Sequence, residues 1–260
     1  MYPELFHLGK FTVYSYGFMI LLGAVLAWIY LYRKTSSFGL KSDDVSGFFL
    51  LAFAAVFVGG KLFFYLEAPM RYIQNPAEML ESPGAGFVFY GSFLLAVPAF
   101  IWWFRRHKLP VWTMFDIIAG CGTLVHGFGR IGCFMAGCCY GKVCDPAWGI
   151  RFTHPDTHAR PIGEPLYPTQ LLEAALILGL FGLMQVLHKR KRFEGQLFLL
   201  YVLVYAAGRF GLEYLRGDES RGYLFGGLLS HSQLISLLLI AAVSVFWFYR
   251  SRQARNTGSA

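Results

Sequence analysis

Apolar residues gather in seven long stretches, at roughly 14–32, 45–66, 87–104, 113–135, 169–187, 196–215 and 228–249. Each is about 18–23 residues long, close to the roughly 20 that a helix needs to cross a bilayer core. Polar residues inside these stretches are few and sit toward one end of each. The pattern predicts an all-α integral membrane protein with seven transmembrane helices, one membrane domain over residues 1–260. The longest connecting segment, 138–168, contains Pro, Gly and Trp148 and predicts a small ordered cap. No internal repeat and no low-complexity tract interrupts the pattern.

Charge fixes the direction of the spans. Spans one, three, five and seven end in the basic runs RKTSSFGLK, RRHK, HKRKR and RSRQAR, which hold 13 of the 23 Lys and Arg residues. The alternate loops carry mixed charge, as in EAPMRYIQNPAEMLESPG and RGDESRG. By the positive-inside rule the basic runs are cytoplasmic. The N-terminus then lies outside, the C-terminus inside and the 138–168 cap on the extracytoplasmic face. The opening MYPELFHLGKFTVYSYG lacks the basic n-region and small-residue cleavage site of a signal peptide.

This topology gives each polar residue a depth. Arg130 lies 17 residues into an outward-running span, about 25 Å from its inner end at 1.5 Å per residue. Arg209 falls at a similar level, with Glu213 and Arg216 one and two turns farther out. Lys61 is near the outer end of span two. Tyr16, Tyr90, Ser92, Gln170, Glu173 and Gln233 start the inward-running spans. The membrane-level polar groups therefore share the outer leaflet, and the inner half is almost wholly apolar. That asymmetry disfavours a transporter, whose polar path must cross the membrane.

Interfacial anchoring accounts for Lys61, Arg216 and several tyrosines, but less well for Arg130 and Arg209. A buried arginine is costly unless paired or hydrated. Arg209 has Glu213 at i+4, whereas Arg130 has no acid within a turn of its own helix. Two guanidiniums at this depth point to a bound anion, and the anion available there is a phospholipid headgroup. His126, one turn before Arg130, is a candidate proton acceptor beside a phosphodiester.

Composition agrees. The chain is 56% hydrophobic and 15% charged, against about 25% charged in a soluble domain. The net charge of +8 is spread over the loops, so nucleic acid is not an expected partner. Cys133, Cys138, Cys139 and Cys144 contain no C-x-x-C spacing, and two of them are adjacent. The expectation is packing, or a disulfide from Cys138 or Cys139 to Cys144, with no metal.

The segment HGFGRIGCFMAGCCYG (126–141) resembles the signature of the prolipoprotein diacylglyceryl transferases: Gly129–Arg130, then Gly132, Phe134 and a closing Gly141. YSYGFMILLGAVLAW is similar to the family's first helix, with its Tyr16–Gly17 pair, and FVGGKLFFYL to its second. YPTQLLEA resembles the His-Pro-Ser-Gln-Leu-Tyr-Glu element, YAAGRFGLEYLRGD the Tyr-x-x-x-Arg-Phe-x-x-Glu-x-x-Arg stretch, and LLSHSQLISL the start of the last helix. The resemblance implies transfer of the diacylglyceryl group of phosphatidylglycerol to the lipobox cysteine of a prolipoprotein signal peptide, with release of glycerol phosphate and without a cofactor. The implied place is the bacterial cytoplasmic (inner) membrane, with the active site toward the outer leaflet. The resemblance implies that Arg130 and Arg209 hold the lipid phosphate while Tyr16, Tyr205, Glu213 and Arg216 shape the site; the polar residues at the same depth add His126 and Tyr90 as candidate catalytic groups and Lys61, Ser92, Gln170 and Glu173 as candidate substrate-binding groups.

The chain also departs from the family pattern. Tyr90 stands where the third helix usually has a catalytic histidine, and Tyr167 where a His precedes Pro-Ser-Gln. Cys133 and Cys138 replace an Asn and an acidic residue, and Lys61 replaces an arginine. The base is therefore His126, Tyr90 or no dedicated group. The competing readings are a paralogue on the same scaffold that passes an anionic phospholipid to another acceptor, and a thiol–disulfide protein built on the cysteines.

Overall fold

The computed structural model describes residues 2–9, 11–75, 77–78, 88–217, 223–224 and 228–257. Among them, six helices are long and apolar enough to cross a membrane: Ser15–Phe38, Ser42–Glu67, Val111–Ala136, Thr169–Leu187, Gln196–Glu213 and His231–Asn256. The chain is thus a mostly helical protein of the membrane class. In chain order the helices are α1 (Ser15–Thr35), α2 (Ser42–Glu67), a short α3 (Pro69–Gln74), α4 (Phe89–Arg106), α5 (Val111–Ala136), α6 (Thr169–Leu187), α7 (Gln196–Glu213) and α8 (His231–Thr257). The last extends beyond the apolar run through RSRQARN, because Arg, Gln and Ala are good helix formers once outside the hydrocarbon.

Contacts divide the chain into two compact units, Tyr32–Met114 and the remainder, Met1–Leu31 with Phe115–Ala260. In the first unit α2 and α4 pack along their length. A Cβ on Gly91 would collide with the Gly59 carbonyl oxygen, and one on Gly59 would lie 2.5 Å from that of Gly91. Small residues at such a crossing let two membrane helices pack backbone to backbone. Ser92 Oγ donates to the Val56 carbonyl at 2.8 Å, and Phe48 fills one end of the seam against Phe100, Trp103 and Phe104. Lys61 is buried with its ammonium over the Phe64 and Tyr65 rings, 5.7 and 6.0 Å from their centroids. Gly91→Val forces the two backbones apart, and we expect the purified variant to unfold at a visibly lower temperature than the parent or to fail to accumulate.

The second unit is organised around α5. Its glycines are points of close approach: Gly132 abuts the Tyr16 backbone of α1, Gly127 the Leu178 side chain of α6, and Gly120 the Tyr30 ring. Tyr30 also stacks edge-on against Phe181 and accepts a hydrogen bond from Gln185 Nε2 at 3.3 Å. Near the start of α5, Asp116 is almost wholly buried. Its carboxylate accepts from Lys191 Nζ (3.1 Å) and from the backbone amides of Gly195, Leu197 and Phe198 (3.0, 2.9 and 3.1 Å). It thereby caps the N-terminus of α7 from another helix, satisfying amides that have no intrahelical partner. Burial opposes the charge on Lys191, but Glu194 and Asp116 outweigh that and raise its pKa. Replacing Asp116 with alanine strands this group of donors; we expect a loss of about 3 kcal/mol, read as a lower thermal midpoint with activity per folded molecule retained.

The segment after α5 folds back over the helix ends. Gly141 N–H donates to Tyr167 O, Tyr167 N–H to Lys142 O and Lys142 N–H to Leu215 O, at 3.0, 3.0 and 2.8 Å. Two short strands, β3 (Ile150–Arg151) and β4 (Pro165–Leu166), pair antiparallel within it. Phe152, Ala159 and Leu166 form its small core against Phe134 and Tyr140. A hairpin of β1 (Glu4–Leu8) and β2 (Phe11–Tyr14) precedes α1, and a last pair, β5 (Tyr223–Leu224) and β6 (Leu229–Ser230), precedes α8. Gln233 begins α8 as a cap: it accepts from Ser230 N–H at 3.0 Å and donates its own amide to Ser230 Oγ at 3.2 Å.

Candidate active site

Three helices bring polar stripes to one place. On α7, Tyr201, Tyr205, Arg209 and Glu213 recur every fourth residue; on α5, His126 and Arg130 do the same; on α6, Gln170 and Glu173 are three apart. Residues at these spacings share a helix face. The stripes lie toward the C-terminal ends of α5 and α7 and the N-terminal end of α6, and Tyr16 begins α1 beside Gly132.

Glu173, only 2% exposed, sits at the centre. Its Oε1 lies 3.1 Å from Arg130 Nη2, 3.6 Å from His126 Nε2 and 3.3 Å from the Tyr205 hydroxyl that donates to it. The acid missing from Arg130's own helix is thus supplied by α6. Arg130 Nε donates to His126 Nε2 at 3.4 Å, which places the imidazole lone pair on that nitrogen; Nδ1 is 3.4 Å from the Tyr201 hydroxyl. The His126 and Tyr205 rings meet edge to face at 4.9 Å. Tyr201 was not among the residues expected from the sequence, although its four-residue spacing from Tyr205 carried the signal.

Arg209 and Glu213 form the expected i+4 pair, with Nη2 and Oε2 2.7 Å apart. The contact is an ion pair, and Glu213 Oε2 has no hydrogen-bond partner among the described residues. Arg209 Nη1 is buried and has no hydrogen-bond partner among the described residues, and neither has Gln170 Oε1. Arg216 is buried as well and places a like charge near Arg209. Two of these guanidiniums are matched to carboxylates, Arg130 to Glu173 and Arg209 to Glu213. A buried guanidinium donor without an acceptor among the described residues favours an anionic group there.

The other expected residues distribute as follows. Gln170 donates from Nε2 to the Cys138 carbonyl at 2.8 Å, so its amide holds the turn after α5. Lys61 and Ser92 belong to the α2–α4 unit, where Ser92 bonds to the backbone. Tyr90 lies in the first turn of α4, and its side chain is outside the described residues. All five cysteines are free thiols, so no disulfide joins Cys138 or Cys139 to Cys144. The sulfurs of Cys133, Cys138 and Cys139 instead lie within 4.8 Å of one another. Hydrogen bonds from Cys133 and Cys138, followed by the Arg216 and Arg130 charges, pull the Cys139 thiol down, and the same hydrogen bonding pushes Cys138 up.

Known proteins bear on this geometry. A relative from Clostridium tetani is 35% identical over 255 residues, covering 97% of this chain and all of the relative. One from Clostridium perfringens is 34% identical over 249 residues, covering 95% and 94%, and one from Dehalococcoides mccartyi is 30% identical over 256 residues, covering 97% and 95%. The first and third are named phosphatidylglycerol–prolipoprotein diacylglyceryl transferase, and the second carries that name with the numeral 2. Residues 3–249 match the family model described as prolipoprotein diacylglyceryl transferase. By a match of that extent, and by relatives that align nearly end to end, this chain belongs to the prolipoprotein diacylglyceryl transferase family.

Proposed function

We propose that the chain is a transferase that moves the diacylglyceryl group of phosphatidylglycerol onto the cysteine thiol of a prolipoprotein. The observation that carries this reading is the buried Arg209 Nη1, a donor without a hydrogen-bond partner among the described residues, in the same site as the Arg130–Glu173 pair. A phosphodiester headgroup supplies the acceptor oxygens that this donor lacks.

In the reaction the thiol sulfur forms a bond to the glycerol carbon, the carbon–oxygen bond to phosphate breaks, and glycerol phosphate leaves. Charge accumulates on the departing phosphate. Guanidiniums fixed beforehand in a dry site stabilise that charge more than they stabilise the bound ester. The Glu173 carboxylate orients the Arg130 fork, and Tyr205 holds Glu173 from the other side. His126 is the candidate to take the thiol proton, once its Nε2 is released from the Arg130 N–H that it accepts. Tyr16 lines the site from α1. The lipobox cysteine is the acceptor that this reading assigns.

Seven transmembrane helices, with α4 as the seventh span, the N-terminus outside and the site in the outer leaflet of the bacterial inner membrane, complete the proposal. Its support is the basic ends of the helices: Arg33 and Lys34 close α1, Arg105 and Arg106 close α4, and Arg255 lies in the last turn of α8. Residues 138–168 then form a cap on the outer face. The reading is tested by incubating the purified protein with phosphatidylglycerol vesicles and a lipobox peptide. Mass spectrometry should show the peptide gaining one diacylglyceryl group, with an equal yield of glycerol phosphate; an unmodified peptide in the presence of folded protein refutes it.

A further inference from the structure

The three thiols beside the arginine cluster are unused by the transfer chemistry above, and their arrangement is not what local spacing suggests. Cys133 is buried in the last turns of α5, and Cys138 and Cys139 follow the helix end. The chain reverses there: Gly137 has φ of 76° and Cys139 has φ of 60°. A left-handed backbone is natural for glycine, but for cysteine it is disfavoured and persists only where the surroundings impose it. The surroundings here are specific. Thr169 Oγ1 donates to the Cys139 carbonyl and Gln170 Nε2 to the Cys138 carbonyl, both at 2.8 Å. Cys138 N–H donates to the Cys133 carbonyl at 3.0 Å, and its thiol leans toward the same oxygen at 3.7 Å. The first turn of α6 thus holds both cysteines from behind.

We propose that Cys133, Cys138 and Cys139 form a three-thiolate site for a thiophilic d10 cation of the zinc, cadmium and cuprous class. The sulfurs lie within 4.8 Å of one another, so the centre of their triangle is within about 2.8 Å of each, against roughly 2.3 Å for a zinc–thiolate bond. Side-chain movement of well under 1 Å closes that gap. Soft thiolate ligands select zinc and cuprous ions over magnesium or calcium. Three protein ligands leave a tetrahedral ion one position for a water or an outside ligand, the coordination that distinguishes reactive zinc sites from closed structural ones. Adjacent cysteines rarely serve one ion, and what permits it here is the left-handed turn at Cys139, which brings the second thiol back toward the first.

The site is tested on the full-length chain in detergent, reduced, stripped of metal and titrated with cadmium chloride. The thiolate-to-cadmium charge-transfer absorption should rise and saturate at one equivalent per chain, and zinc should compete it away. Cys133→Ser, Cys138→Ser and Cys139→Ser should each weaken binding at least about tenfold, whereas Cys121→Ser and Cys144→Ser should bind as the parent does. Thiol alkylation of the parent chain gives a second readout that needs no variant to fold: zinc should protect the half-buried Cys138 and Cys139 and leave Cys144 reactive. Absence of a saturable band, one that survives Cys139→Ser, or equal alkylation with and without zinc would overturn the site. None of these readings depends on transferase activity.

Discussion

Arg130→Ala lowers lipid-dependent transfer by at least about a hundredfold, the scale of removing one preorganised charge-stabilising group from an active site. The substitution has two consequences. It removes a guanidinium from the site proposed for the phosphate, and it strands Glu173, a carboxylate almost sealed from solvent that otherwise lies 3.1 Å from Arg130. Breaking a buried pair from one side costs about 3–5 kcal/mol of stability, so the single variant loses both fold and function. A companion separates the two. In Arg130→Ala/Glu173→Ala no buried charge is orphaned, and thermal stability should recover much of the loss. If Arg130 serves only to neutralise Glu173, activity recovers with stability; if it holds the phosphate, the protein refolds and stays inactive. The outcome expected here is the second, measured as glycerol phosphate release alongside the melting curve.

Arg209→Lys is the next largest effect expected. The substitution keeps the positive charge and leaves an ammonium able to approach Glu213, so the fold should persist. What it removes is the second arm of the fork, Nη1, a buried donor without a hydrogen-bond partner among the described residues. Lysine offers a point charge where arginine offers two parallel donors. The specificity constant for phosphatidylglycerol should fall about ten- to a hundredfold, with most of the loss retained at saturating acceptor peptide. Retention of parental kinetics would assign Arg209 to pairing with Glu213 alone.

The sequence made local features visible and hid those that depend on distant segments. Long apolar runs with basic ends predict membrane helices because the bilayer demands internally bonded backbone over about 20 residues. The Arg209–Glu213 contact follows from i+4 spacing on one helix. Arg130 is the opposite case. Its acid, Glu173, is on another helix, and no periodicity within α5 announces it. Asp116 gives little signal in the sequence because it interrupts an apolar stretch only once; its partners, Lys191 and the backbone amides around the start of α7, are far along the chain. The β1–β2 hairpin of Glu4–Leu8 and Phe11–Tyr14 is too short to show a pattern distinct from the span that follows. The cysteines show how spacing misleads: C-x-x-C logic assumes a regular turn, whereas a left-handed Cys139 gathers Cys133, Cys138 and Cys139 without it.

Tyr90 marks the largest departure from the family pattern, and the phosphate site proposed above would offer a way to function without the usual histidine. A leaving phosphate neutralised by fixed guanidiniums needs little proton assistance, and the remaining demand is deprotonation of the acceptor thiol. His126 is held by Arg130 on one nitrogen and stands 3.4 Å from Tyr201 on the other, so its ring orientation is set before substrate arrives.

The central claim is that a phospholipid phosphate occupies the cationic cluster, and a structure of the protein with phosphatidylglycerol bound tests it most directly. The phosphate should lie within hydrogen-bond distance of Arg209 Nη1 and of the Arg130 guanidinium, with the acyl chains leading away between helices. A headgroup found elsewhere, with Arg209 Nη1 still without an acceptor, would contradict it.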